Sequence, residues 1–398
     1  MRSFQFITLA FFLIFFLLTT GGSYFNLKKV TGGSRIFSTL FLILAGIVLT
    51  AFVILYIYPF QPRTATNYPV YFFYNTLLFA VFVFNLPMTF SYLLQTGFRK
   101  FIKQPVISYA GFIIALSLST GILFGTFAGS RQLKVSTVDL VFPNLPESFD
   151  QYKIAQLSDI HLGGMLNPEK FLSRTIQKLD DADPNVILFT GDMVNNFARE
   201  LDGYGTALRE IAGIAPAYSI LGNHDYGDYT NWESLEQKQG NFEAIQNKQS
   251  EAGFKLLNNA FTVLKSGQDS IFLAGVENWG HPPFPQYADL DKAIGKIPEE
   301  AFTILMTHDP AHWESKIKGK ENIELTLSGH THGMQWGIRF AGIPFSLAWL
   351  TRQNWGGIYQ SGNSVLYVNT GLGTVGMPWR LDMPGEVTVI TLKRGEVD

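Results

Sequence analysis

Cysteine is absent from the 398 residues, so neither disulfides nor thiolate metal sites can form, and the redox compartment leaves no mark on the sequence. Acidic side chains are missing from the first third. No Asp or Glu precedes Asp139, although ten Lys and Arg do. Beyond that point 20 basic residues face 32 acidic ones, a net charge of −12. An acidic domain repels polyanions at long range, so nucleic acid is not an expected partner, whereas metal ions are.

What the first third has instead is uncharged length. Residues 3–27, 36–61, 64–97 and 104–130 carry no ionisable acid or base. Each exceeds the roughly 20 residues that a helix needs to cross a hydrocarbon core. A soluble bundle would alternate polar faces within each helix. The sequence therefore predicts a four-span membrane anchor over residues 1–130, with the lipid bilayer as its partner. Tyr56, Tyr58, Phe60, Tyr68 and Tyr71 crowd span ends as an interfacial belt does. Pro87 predicts a kink in the third helix. Gly121, Gly125 and Gly129 predict one closely packed face on the fourth. Asn75 and Asn85 are expected to bond between helices rather than to line a transport path. The first span lacks a good cleavage site at Thr19-Thr20-Gly21-Gly22 and is expected to be retained. Six basic residues in the first and third loops (Lys28, Lys29, Arg35, Arg99, Lys100, Lys103) outnumber four on the opposite side (Arg2, Arg63, Arg131, Lys134), which places the large domain outside the cytoplasm.

Residues 131–152 read as a connector with a first strand over 134–142, and residues 153–398 as one domain. Apolar runs at 153–157, 186–189, 217–221, 301–306 and 323–327 are too short for helices and read as buried strands. Each ends in residues able to bind a metal: Asp159 and His161; Asp192; Asn223 and His224; His308; His330 and His332. Helices are expected from Asn167-Pro168 to about 179 and over 199–211. Strands alternating with helices, and polar residues gathered at strand carboxyl ends, indicate an α/β architecture. Carboxylate, carboxamide and imidazole donors without sulfur suit Mn, Fe or Zn ions. A carboxylate bridging two such ions makes a clamp that activates water against phosphorus.

Asp159-x-His161, Gly191-Asp192, Gly222-Asn223-His224-Asp225, a lone His308 and Gly329-His330-x-His332 resemble, in order, the signature of the calcineurin-like metallophosphoesterases, over about the last 245 residues. Taken singly, an Asp-x-His or a Gly-Asp turn is a common coincidence; the ordered set is not. The resemblance implies a layered β-sandwich flanked by helices, here preceded by the four-helix transmembrane bundle. It also implies two divalent metal ions, with Asp159, His161 and His332 on one, Asn223, His308 and His330 on the other, and Asp192 between them. His224 is implied as the catalytic residue that stabilises charge or protonates the leaving group. The implied reaction is hydrolysis of a phosphoester or pyrophosphate bond by metal-activated hydroxide, with a lipid-linked substrate suggested by membrane-associated members.

Two departures from the pattern matter. The protein phosphatases of this superfamily carry an Asp and an Arg where this chain has Asn195 and Asn196, which argues against phosphoprotein substrates. Membrane-associated members place Pro directly before Glu, where this chain reads Pro384-Gly385-Glu386. His281 and His312 match no motif and read as surface or packing residues. Residues 334–355 hold three of the seven Trp and leave directly from the last motif, either as a lipid-dipping segment or as a cover on the domain. A nuclease of the same fold and a non-catalytic metal-binding membrane sensor or scaffold remain as alternatives. Protein partners are unknown.

Overall fold

Long runs of Leu, Ile, Phe and Val become helices wherever the chain must satisfy its own backbone polar groups in lipid. The computed structural model describes residues 2–57, 68–280, 285–320, 322–340, 343–350 and 353–396. It divides into two compact units, one of Met1–Pro62 with Val70–Phe127, the other of Arg63–Pro69 with Ala128–Asp398. The first contains α1 (Arg2–Val30), α2 (Arg35–Ile57), α3 (Tyr68–Gly97) and α4 (Val106–Phe127), four helices long and apolar enough to cross a membrane. Large side chains such as Leu40, Ile47, Phe90 and Ile113 face outward. Polar groups turn inward and pair between helices: Asn85 Nδ2 donates to Thr20 Oγ1 (3.0 Å) and Asn26 Nδ2 to Ser91 Oγ (3.0 Å).

Pro87 lies inside α3, which runs on past it to Gly97. Tight helix contacts include Gly22 against Thr89 and Gly111 against Ser91, where a Cβ would collide. Gly125 is buried within α4. Gly129 lies beyond the end of α4, in the second unit, and is pressed against the carbonyl of Arg380.

The second unit is built on two six-stranded sheets. One runs β1 (Leu133–Phe142), β14 (Gly385–Arg394), β2 (Lys153–Leu157), β3 (Val186–Phe189), β4 (Ala217–Ser219), β5 (Lys255–Leu256). The other runs β12 (Gly357–Ser361), β13 (Ser364–Val368), β9 (Leu325–Ser328), β8 (Thr303–Met306), β7 (Asp269–Gly275), β6 (Ala260–Ser266). Strands β2 to β5 are parallel, as are β7, β8, β9 and β13. Alternate residues explain why these strands read as unbroken apolar runs. Ile154, Leu188, Ile304 and Leu325 enter the core between the sheets. Their neighbours Ala155, Ile187 and Phe189 pack outward under α5 (Pro168–Ala182), α6 (Gly205–Ile214) and α7 (Leu235–Glu251). Leu305 packs outward with Ile294 of α8 (Leu290–Ile294) and with Trp313. A small hairpin, β10 (Ile338–Phe340) with β11 (Ile343–Phe345), stands apart from both sheets.

The helix expected over 199–211 is instead a short turn at Ala198–Leu201 followed by α6. Glu200 draws that turn back onto the preceding loop, and Gly203, at φ 86°, breaks the helix before α6 begins.

Glu386 ties the two sheets together. Its carboxylate accepts from Tyr367 Oη (2.8 Å) and Thr370 N (3.0 Å) beside β13, and lies 3.4 Å from Lys134 of β1. Burial pushes its pKa up, but Lys134 and the hydroxyls of Thr370 and Ser136 more than offset this and hold it below the usual 4.5. A carboxylate depressed by folding stabilises fully above its unfolded value and loses that contribution as pH falls through the folded value. Glu386→Gln should therefore destabilise this unit by about 2 kcal/mol at neutral pH. It should also flatten the loss of melting temperature below pH 4.5; an acid limb as steep as in the wild type would refute the assignment.

Candidate metal centre

Five strands from both sheets finish at one edge, and there the backbone is bent against its preference. Asp159, His161, Asp192, His330 and His332 all have positive φ, between 47° and 69°. Left-handed backbone at an L-residue costs on the order of 1 kcal/mol, and such strain gathers where side-chain aim matters more than stability. The turns swing these side chains into a common space.

Two donor groups result. In the first, Nε2 of His332 lies 3.1 Å from Nε2 of His161 and 3.3 Å from Asp159 Oδ1. In the second, Nε2 of His308 lies 3.2 Å from Asp192 Oδ2, 3.0 Å from Asn223 Oδ1 and 3.1 Å from Nδ1 of His330, which is 2.8 Å from Asn223 Oδ1. Asp192 Oδ2 is also 3.6 Å from His161 Nε2, so it belongs to both. Three-residue clusters able to hold an ion are therefore Asp159, His161, His332 and Asp192, His308, His330.

The far side of each ring fixes its tautomer. His161 Nδ1 faces the carbonyl of Val194 (3.1 Å) and His308 Nδ1 that of Thr190 (2.8 Å). A carbonyl only accepts, so both Nδ1 atoms carry hydrogen and Nε2 turns toward the cluster. Donors about 2.1 Å from a shared ion stand about 3.0–3.4 Å apart, close to the spacings here. Oxygen and nitrogen donors with no sulfur, at these distances, fit divalent ions such as Mn, Fe or Zn.

Electrostatics point the same way. Burial pushes the pKa of Asp159 up to about 6 and Asp192 adds to the rise. Burial would raise Asp192 as well, but His308, His224 and His161 hold it well below the usual range. Burial works against charge on His308, yet Asp192 raises it to about 10, so a proton sits where positive charge is wanted. Burial lowers His161 to about 3. His332 lies well below its usual value through burial, His161 and Arg380.

His224 stands apart from both donor groups. Its Nδ1 donates to the carbonyl of Asn195 (2.8 Å), its ring stacks on Tyr229 at 4.3 Å and meets the edge of His161 at 4.8 Å. A cavity of about 360 Å³ opens between Asp192, Asn223, His224, Tyr229, His330 and His332. All eight residues singled out from sequence thus lie together. His312 packs away from them, stacked on Trp279 and bonded to Thr307 Oγ1 (3.0 Å), and His281 lies outside the described residues.

Three buried charges were not foreseen. Asp225, noted only as part of its motif, accepts the amides of Asp192 (2.9 Å), Met193 (3.0 Å) and Gly222 (2.9 Å), locking two ligand loops together. Arg380 donates to the carbonyls of Thr370 (3.0 Å), Gly371 (3.0 Å) and Met383 (3.1 Å) and pins the loop behind His332; nothing in its sequence setting marks it. Glu200 accepts the amides of Asn195 (2.6 Å), Asn196 (2.8 Å) and Phe197 (2.8 Å). The Asp of the protein phosphatases is absent, and a more distant carboxylate holds the loop whose Asn195 carbonyl orients His224.

Residues 152–334 match the family model described as calcineurin-like phosphoesterase. A Danio rerio transmembrane protein with metallophosphoesterase domain is 28% identical over 81% of this chain and 71% of its own length. An uncharacterized metallophosphoesterase of Helicobacter pylori is 25% identical over 97% of this chain and 98% of its own, a match that takes in the membrane helices. The phosphodiesterase YaeI of Escherichia coli is 26% identical over 61% of this chain and 82% of its own.

Removing Glu200 tests the loop. Each buried amide left without an acceptor costs roughly 1–3 kcal/mol. Glu200→Ala should lower the melting temperature of the second unit and speed amide hydrogen exchange at residues 195–197. Wild-type exchange at those amides would refute its role.

Proposed function

We propose that this membrane protein, whose residues 152–334 belong to the calcineurin-like phosphoesterase family, hydrolyses a phosphodiester or pyrophosphate bond on a lipid-linked substrate, outside the cytoplasm. The observation that carries the hydrolytic reading is the pairing of two donor groups through Asp192, with His224 beside them but bonded away from them.

Asp159, His161 and His332 would hold one divalent ion, Asn223, His308 and His330 the other, and Asp192 both. When bound, the ions supply water activation and neutralise the phosphoryl oxygens. The remaining work falls to the chain. The Asn195 carbonyl accepts a hydrogen bond from Nδ1–H of His224, which leaves Nε2 for the substrate, and the Tyr229 ring fixes the imidazole plane. From there His224 stabilises charge at phosphorus or protonates the departing oxygen.

The lipid-linked substrate is supported by the surface beside the cavity. Met334 lines the cavity, and Phe345, Trp349 and Leu350 follow it in sequence. All four are exposed, Trp349 at 62% and Leu350 at 67%, while Ser346 and Ala348 between them are buried. An apolar edge on the segment that starts at the cavity with Met334 suits acyl chains. The phosphodiesterase name of the Escherichia coli relative agrees with the bond type.

The full chain, purified in detergent and loaded with Mn²⁺, should bind about two ions and cleave bis(p-nitrophenyl) phosphate. Asp192→Asn should lose metal and activity together. His224→Ala should keep its metal and lose roughly 10²-fold or more in kcat, the usual share of a general acid. Metal-loaded protein that cleaves no phosphodiester, phosphomonoester or lipid pyrophosphate would leave a binding scaffold instead. The substrate has its own test: Trp349→Ser with Leu350→Ser should slow turnover of a lipid pyrophosphate in vesicles while the soluble phosphodiester is cleaved as before. Equal turnover of both would remove the lipid reading.

A further inference from the structure

A second cavity, of about 130 Å³, lies on the same unit and is lined by Arg131, Lys170 and Arg174 without any carboxylate. Three cations around one hollow are conspicuous in a stretch of chain whose net charge is −12. Among the described residues no ion pair neutralises any of the three. Arg174 is held by a bond from its Nη2 to the Arg131 carbonyl, and its Nε–H is buried with no acceptor. A guanidinium so fixed presents geometry that matches phosphate oxygens.

The remaining walls are mixed, with Ser130, Asn167 and Thr374 polar and Met165, Leu166, Phe171 and Pro378 apolar. The cavity sits at the first turn of α5, a 15-residue helix. Asn167, Lys170, Phe171 and Arg174 line it at helical spacing, so one face of α5 forms a wall. Asn167 precedes that turn, lines the cavity, and makes no side-chain cap bond to the helix. Thr374 adds a hydroxyl to the lining.

We infer that this cavity is a second, non-catalytic site for one phosphate group, and that its natural source is the headgroup of an anionic phospholipid. The lipid source follows from the sequence: Arg131 is the first charged residue after the fourth span, and a residue that directly follows a span lies at headgroup level on whichever side it emerges. The site also touches the metal centre through the backbone. Gly373 and Thr374 line this cavity, Val375 lines the catalytic one, and Gly373 N donates to the Asp159 carbonyl (2.8 Å). An occupant would brace the loop that holds Asp159. The inference does not depend on the hydrolytic reading.

The test uses the full chain in neutral detergent with excess EDTA, in the Asp192→Asn background, so that the metal centre cannot capture the probe. Dioctanoyl phosphatidylglycerol, dioctanoyl phosphatidylcholine and inorganic phosphate are titrated separately and read by native mass spectrometry. Phosphatidylglycerol should bind better than phosphatidylcholine, and Lys170→Gln, Arg174→Gln and Arg131→Gln should each weaken it about fivefold, the worth of one basic residue at an anionic surface. Lys170 is exposed, so its variant should keep the wild-type melting curve and separates binding from folding. If only inorganic phosphate binds and the same variants weaken it, the phosphate site stands with a soluble phosphate ester as its source. If no variant weakens the binding of any probe, the site is refuted.

Discussion

Asp192 is buried between imidazoles, 3.6 Å from His161 and 3.2 Å from His308, and a carboxylate in that position is tolerable because a protonated His308 stands against it. Desolvation penalises the anion, and coupling to three histidines reverses the penalty. Its backbone amide is held by Asp225, and its Oδ1 accepts the amide of His224 (2.8 Å). The loop after β3 and the loop after β4 are therefore fixed to one another through this residue and its supports. Replace the cation by a proton and the arrangement survives as a His308–Asp192 ion pair; with neither, a buried anion stands uncompensated. The same constraint that makes the site costly to fold makes it ready for a divalent ion.

How much of this was legible in the sequence follows from which interactions are local. The strands could be read because each buries both faces, so most positions are apolar until the turn that carries the ligands, with a few buried polar exceptions such as Gln156 and Thr326. Ile187 and Leu188 point to different layers, yet both must be hydrophobic. The division into sheets could not be read in the same way. Strands β2, β3 and β4 lie in one sheet and β8 and β9 in the other, and no local pattern records that partition. Glu200 displaced the expected start of a helix for the same reason. Its partners are the amides of a neighbouring loop, a tertiary demand that outweighed helix propensity. Arg380, fully buried on backbone carbonyls, offered no pattern at all, because carbonyls are present in every sequence.

The substitution of Asn195 and Asn196 for the charged pair of the protein phosphatases gains meaning from Glu200. A carboxylate bonded directly to a histidine would favour the imidazolium. Here a neutral carbonyl holds His224 Nδ1, and the carboxylate acts one step removed, on the amides of the loop. Orientation is kept while the direct charge is withdrawn.

Substrate access follows from the unequal distribution of surface types. A hydrolase of small soluble phosphates has no need of exposed Trp349 and Leu350, where water contact is unfavourable, on the segment that leaves its cavity at Met334. Nor does it need a cation-lined hollow that shares a loop with Asp159. Both features have a use if the substrate arrives with acyl chains attached and among anionic neighbours. The apolar edge would take the chains, the basic hollow would take a headgroup, and Gly373 would connect that hollow to the ligand loop.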